Sequence, residues 1–191
     1  MNKGIIWIII LVLLVVGFIA FSGSSDKEPV VAPVATGPIK IGFIGSLTGD
    51  AAIYGEPQRD ALQLAVADIN NTGGINGRPM EIIYEDGKCT GEGGANAAQK
   101  LVNIDKVKVI LGGSCSGETL AALPISETAK AFLFTGSATS PDLINKSRFF
   151  ARDFPNDNSQ GKVLAEAASQ RQWKKVAIME EQTDYAQGIV K

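Results

Sequence analysis

Three short stretches carry most of the side chains in this chain that could meet a small charged ligand. The first is Gly45-Ser46-Leu47-Thr48-Gly49, with Tyr54-Gly55 just beyond it; the second is Gly112-Gly113-Ser114-Cys115-Ser116-Gly117; the third is Gly136-Ser137-Ala138-Thr139-Ser140-Pro141. All three are small, rich in hydroxyls and free of charge. Hydroxyls and open backbone N–H groups at helix starts receive a carboxylate or phosphate without a bulky cation in the way. Taken singly, Ser and Thr in such places serve as helix N-caps. Three loops of the same character on one sheet edge point to a shared anion site.

Several other chemistries are poorly supplied. Histidine is absent, which removes a Ser-His-Asp triad, a Cys-His dyad and any His-ligated metal. The two cysteines, Cys89 and Cys115, are too few and too far apart for a zinc site built on paired Cys-x-x-Cys turns, but they can make one disulfide. Gly42-Phe43-Ile44-Gly45-Ser46-Leu47-Thr48-Gly49 fails the G-x-G-x-x-G spacing, and no G-x-x-x-x-G-K-[ST] loop occurs, so dinucleotide and ATP binding gain no support. Asp86 falls where a dinucleotide-binding domain keeps its ribose acid, and without the glycine fingerprint it reads as a solvated turn residue. The 18 basic and 20 acidic residues leave a net charge of -2, so nothing advertises a nucleic-acid partner. No metal or cofactor is implied.

The elements that must position these loops alternate in period. Ile39 to Gly45 (IKIGFIG) is a short apolar run closed by Gly, as expected of a strand buried on both faces. Between Pro57 and Asn71, the residues Leu62, Ala65, Val66 and Ile69 recur at helical spacing, and Asn70 to Gly74 then stop the helix. Met80 to Tyr84 predicts a second strand, Ala98, Leu101 and Val102 a second helix, and Val107 to Leu111 a third strand. Thr119 to Ala129 predicts a helix with Pro124 kinking it or sitting in an early turn; Ala131 to Thr135 is a fourth strand. Phe149 to Arg152 reads as a crossover strand, Val163 to Ala168 as a helix stripe, and Lys175 to Met179 (KVAIM) as a further strand. Strands and helices alternating at this spacing make an α/β fold with a parallel sheet covered on both faces. Ligands of such sheets bind beyond the carboxyl ends of the strands, where the three loops lie.

Ahead of this pattern, Gly4 to Phe21 is unbroken apolar sequence. A helix of roughly 18 residues spans about 27 Å, close to the hydrocarbon thickness of a bilayer. Residues 1–21 therefore read as an uncleaved membrane anchor or, with Ala20-Phe21-Ser22 as a small-x-small site, as a cleaved signal peptide. Either way Lys3 holds its end in the cytoplasm and the rest is exported. Residues 22–38, with Pro29, Pro33 and Pro38 among small residues, form a linker. Cys89 and Cys115 are expected to pair, because both follow strands expected to be parallel neighbours, both lie outside the cytosol, and no other thiol competes.

The stretch IKIGFIGSLTGDAAIYGEPQRDALQLAVADINNTGGINGRPMEIIYEDGKC resembles the opening of the periplasmic branched-chain amino acid binding proteins, the leucine/isoleucine/valine-binding family served by ABC transporters. Later signals agree with it. A hydrophobic strand followed by Gly, Cys and Ser is matched at Ile110 to Ser116, a small-Ala-Thr-x-Pro loop at Ser137 to Pro141, a Ser/Gln-Gly helix start at Ser159-Gln160-Gly161, and Tyr-x-x-Gly at Tyr185 and Gly188. The resemblance implies the two-lobed type I periplasmic binding protein fold. Lobe one would be 39–154 and the start of lobe two 155–191, so the chain would be an N-terminal fragment lacking the acidic residue with which the second lobe meets the ligand ammonium. It also implies ligand contacts from Ser116, from the backbone of Ser137, from neighbouring Ala138 and from Thr139. Tyr54 and Tyr185 would pack the ligand side chain, or are surface aromatics if the resemblance is set aside. Glu181 and Gln182 would line the cleft.

The function implied is that of a non-enzymatic, extracytoplasmic substrate-binding protein that captures an amino acid between its lobes and presents it to the membrane permease of an ABC transporter. A membrane-anchored sensing domain of the same fold is the alternative, and a doubly wound enzyme using Glu85 or Asp86 as acid or base is a third.

Overall fold

The computed structural model describes residues 37–190, so the expected anchor or signal segment at 1–21 and nearly all of the linker at 22–38 lie outside the described residues. Among the described residues no helix is long and apolar enough to cross a membrane.

The chain forms β1 (Ile39–Gly45), α1 (Ala52–Asn71), β2 (Met80–Asp86), α2 (Gly91–Gln99, continued by a π turn at Lys100–Ile104), β3 (Val109–Gly112), α3 (Ser116–Ala129), β4 (Phe132–Thr135), β5 (Phe150–Arg152), α4 (Asn158–Gln170) and α5 (Asp184–Val190). The five strands make one sheet in the order β2-β1-β3-β4-β5, parallel throughout. A strand with neighbours on both sides and helices above and below must be apolar on both faces. β1 meets that demand with Phe43 and Ile44, which alternate across the sheet and are both buried. Ile44 joins Ile110 and Leu133 under Ala98, Leu101 and Val102 from the α2 segment and Ala122 and Leu123 from α3. Phe43 meets Tyr84 of β2 edge-on, with ring centroids 5.7 Å apart.

Helix α1 starts five residues ahead of Pro57 and holds that proline inside it. The early start works because residue 55 is glycine: any Cβ there would run into the backbone of Ser46, so Gly55 lets the helix press against the loop after β1. Pro124 likewise lies within α3.

The strand expected at Phe149 to Arg152 forms as Phe150–Arg152 and pairs with β4 as the edge strand of the sheet. Two expectations need correction. Lys175 to Met179 forms no strand, and Val176, Ile178 and Met179 are 59, 68 and 99% exposed. A strand is completed by a hydrogen-bonded neighbour, and among the described residues none runs beside this segment. β2 and β3, the strands that precede the cysteines, are not neighbours, because β1 lies between them. The chain goes from β1 outward to β2, then crosses back over β1 to β3. That reversal is a topological switch point, where loops leave in opposite directions and open a crevice beyond the strand ends.

Candidate functional site

The crevice is present. A cleft of about 1050 Å³ opens over the carboxyl edge of the sheet, and its walls include Tyr54, Ser116, Ser137, Thr139 and Tyr185, together with Cys89 and Cys115. Glu181 and Gln182 also border it, although the strand expected before them does not form. Ala138 is the exception among the expected site residues: it is buried at 1% exposure and does not reach the cleft, while its carbonyl accepts from Arg152 Nη1 at 3.2 Å. A smaller hollow of about 420 Å³ adjoins the cleft, and Thr139, Phe154 and Gln160 border both.

Each loop is held from outside the cleft. After β1, the carboxylate of Asp86 accepts from Leu47 N at 2.9 Å, from Thr48 Oγ1 and from Lys88 N at 3.0 Å, so it ties the first loop to the end of β2. Asp86 is thus a structural anchor and more than the solvated turn residue expected. Partial burial opposes its ionisation, but the bonds from Thr48, Leu47 and Lys88 outweigh that and hold its carboxyl below the usual carboxylate range.

After β3, Ser116 opens α3, and its hydroxyl accepts from the N–H of Ser140 at 3.3 Å. The first turn of the helix leaves backbone N–H groups without intrahelical partners at this edge of the cleft. The carboxylate of Asp184 lies against Gly117 in that same turn, 2.8 Å from where a Cβ would stand.

After β4, Thr135 Oγ1 donates to Gly113 O at 2.9 Å and accepts from the N–H groups of Ser137 and Ala138 at 3.3 and 3.1 Å. Arg152 Nη1 donates also to Ser140 O at 3.0 Å; partial burial lowers the guanidinium's proton affinity, and nearby Asp157 opposes that. Among the described residues the side chain of Thr139 has no hydrogen-bond partner, and it stands at the cleft wall.

Two residues that the sequence did not single out join these loops. Gln58, one turn after Tyr54 on α1, donates through Nε2 to Ser137 Oγ at 3.2 Å and accepts through Oε1 from Ser114 Oγ at 3.2 Å. Ser137 Oγ in turn donates to Ser114 O at 2.9 Å. The helical spacing from Tyr54 to Gln58 was the available signal. Glu118, three residues past Cys115, is fully buried and accepts from Cys115 N at 3.0 Å. The x-x-Glu spacing of a capping box marks it in the sequence. Cys89 and Cys115 are joined as a disulfide, with Cα atoms 5.2 Å apart.

Hydroxyls, open amides and two aromatic rings gathered at the switch point of a parallel sheet agree with a match of the periplasmic binding protein family model to residues 38–191. The chain belongs to that family. Among its relatives, the leucine-, isoleucine-, valine-, threonine- and alanine-binding protein of Pseudomonas aeruginosa is 32% identical over 92% of this chain and 44% of its own length. A structure of the branched-chain amino acid transporter substrate-binding protein LivJ of Streptococcus pneumoniae, in complex with isoleucine, is 34% identical with a TM-score of 0.72, over 80% of this chain and 44% of that one. The leucine-binding protein LivK of Thermotoga maritima is 27% identical with a TM-score of 0.70, over 80% and 43%. The chain thus spans less than half the length of these periplasmic binding proteins.

Proposed function

We propose that this chain is the ligand-receiving part of an extracytoplasmic solute-binding protein that captures a branched-chain or related amino acid for an ABC transporter permease. The observation that carries the reading is the cleft itself. It sits at the switch point and gathers Ser116, Ser137 and Thr139 from two strand-end loops, with Tyr54 and Tyr185 facing the same space. The N–H groups that open α3 and the hydroxyls of Ser116 and Thr139 receive the ligand carboxylate, whose negative charge the helix start favours. Ser137 contributes its backbone, since its own hydroxyl is engaged with Ser114 and Gln58. The tyrosine rings pack the apolar side chain. Relatives named for leucine, isoleucine and valine supply the ligand class.

Residues 39–154 form lobe one in this reading, 155–191 begin lobe two, and ligand bound to the first lobe favours closure by the second through a hinge. Residues 1–21 direct export and, if uncleaved, anchor the domain to the membrane through the linker at 22–38. No step of covalent chemistry is required, so the protein acts as a binder without cofactor or turnover. Mass spectrometry of the small molecules that co-purify with the complete protein tests this: an aliphatic amino acid in stoichiometric amount supports it, and a ligand with no carboxylate overturns it.

A further inference from the structure

One side chain meets all three loops that leave the strands around the switch point. Glu118 Oε1 accepts from Ser46 Oγ at 3.0 Å and from Cys89 N at 2.8 Å, and Oε2 accepts from Cys115 N at 3.0 Å. Ser46 follows β1, Cys89 follows β2 and Cys115 follows β3. The two N–H donors belong to the two residues that the disulfide joins. The carboxylate therefore spans by hydrogen bonds the same gap that the sulfurs span covalently. The strands that carry these two loops are well separated, because β2 and β3 are two places apart in the sheet and so lie about 10 Å from each other at the ladder spacing of about 4.8 Å. The loops must lean over the end of β1 to meet, and Glu118 is the group they meet at.

The surroundings are shaped to it. A Cβ added at Gly87, Gly94 or Gly113 would collide with Glu118 atoms. A carboxylate at 0% exposure is costly unless each oxygen is satisfied, and here both are, by donors from three separate loops.

We infer that Glu118 is a positioning residue of the ligand site. It holds Cys89 and Cys115 at their separation whether or not the disulfide is closed, and through Cys115 it fixes the start of α3 and with it Ser116. The part that concerns ligand rests on the function proposed above; the part that concerns the cysteine pair does not.

The test uses the complete protein as wild type, Glu118→Gln, Cys89→Ser with Cys115→Ser, and all three changes together. Gln keeps the size and one acceptor but turns an NH₂ toward a backbone N–H donor. The first measurement is the thiol–disulfide equilibrium with dithiothreitol, in which closing the protein disulfide passes two electrons and two protons to oxidised dithiothreitol. Glu118→Gln is expected to shift it toward the protein thiols by about tenfold, and an unchanged equilibrium overturns the inference. The second is L-leucine and L-isoleucine binding well below the melting temperature. Glu118→Gln should weaken it less than about threefold with the disulfide closed and about tenfold or more without the cysteines, the signature of two devices holding one geometry. If the glutamate only stabilised the fold, Glu118→Gln would lower the melting point in both backgrounds and leave affinity alone, which overturns the inference, as do equal affinity losses in both. If wild type binds neither amino acid while the exchange equilibrium still shifts, the positioning role stands and the ligand class is wrong. Should Glu118→Gln fail to fold, reduced wild type carries the test: its leucine affinity should stay within about threefold of the oxidised form, and a larger loss assigns the positioning to the disulfide alone.

Discussion

The N–H of Ser140 donates to Ser116 Oγ at 3.3 Å, so the hydroxyl that opens α3 is engaged from the loop after β4. One of its two lone pairs accepts that bond, while its proton remains available to a carboxylate. Ser116→Ala should then do two things at once. Ligand binding should weaken by about 1.5 to 3 kcal/mol, the usual worth of a hydrogen bond to a charged group, and the unliganded protein should lose about 1 kcal/mol or more because a buried N–H is left without its acceptor. Calorimetry of binding together with denaturant melts checks both.

Thr139 separates the two effects. Its hydroxyl has no hydrogen-bond partner among the described residues, so Thr139→Ala should leave apo stability nearly unchanged while weakening binding by about 1.5 to 3 kcal/mol. Unchanged affinity in this variant would remove the loop after β4 from the carboxylate site.

The Cys89–Cys115 bond, with a sequence separation of 26, should stabilise the fold by roughly 3 to 4 kcal/mol on the chain-entropy estimate. Thiol labelling of the exported protein, denatured without reductant, should find nothing to modify. Two reactive thiols would remove the bond and weaken the case for export.

Asp86 gives the stability a dependence on pH. Its carboxyl ionises at lower pH in the folded protein than in the unfolded chain, so its contribution is fully present above the unfolded value and is lost as pH falls through the folded one. The loss begins near pH 4, the ordinary range of an aspartate, and continues below it. Asp86→Asn should flatten that part of the acid unfolding profile, and an unaltered profile in the variant would exclude the anchoring role.

Much of the fold was legible because local patterns and tertiary demands agreed. Ile39 to Gly45 carries apolar residues on both faces beyond Lys40, and β1 is flanked by β2 and β3 in the sheet. The hydroxyl-rich loops were visible as residue types following apolar runs, and Ser116, Ser137, Thr139, Tyr54 and Tyr185 do share one cleft. Strand order was not legible in the same way. Consecutive short units suggest neighbours, whereas β3 crosses over β1 and leaves the cysteines on loops that converge only above it. Lys175 to Met179 has the composition of a strand, but composition does not supply a pairing partner. Ala138 is small in a site loop, yet its backbone turns inward to Arg152. For Glu118 the capping-box spacing marked only the bond to Cys115; its burial rests on the loops of Ser46 and Cys89, which come to it from far along the chain.

The most direct measurement is isothermal titration of the complete protein, stripped of bound ligand by unfolding and refolding, with L-leucine, L-isoleucine and L-valine. Saturable one-site binding of at least one of them is expected, at micromolar affinity or tighter, equivalent to about 8 kcal/mol or more. Refolded protein with a cooperative melt that takes up none of the three, even at millimolar concentration, would contradict the proposed role in amino acid capture.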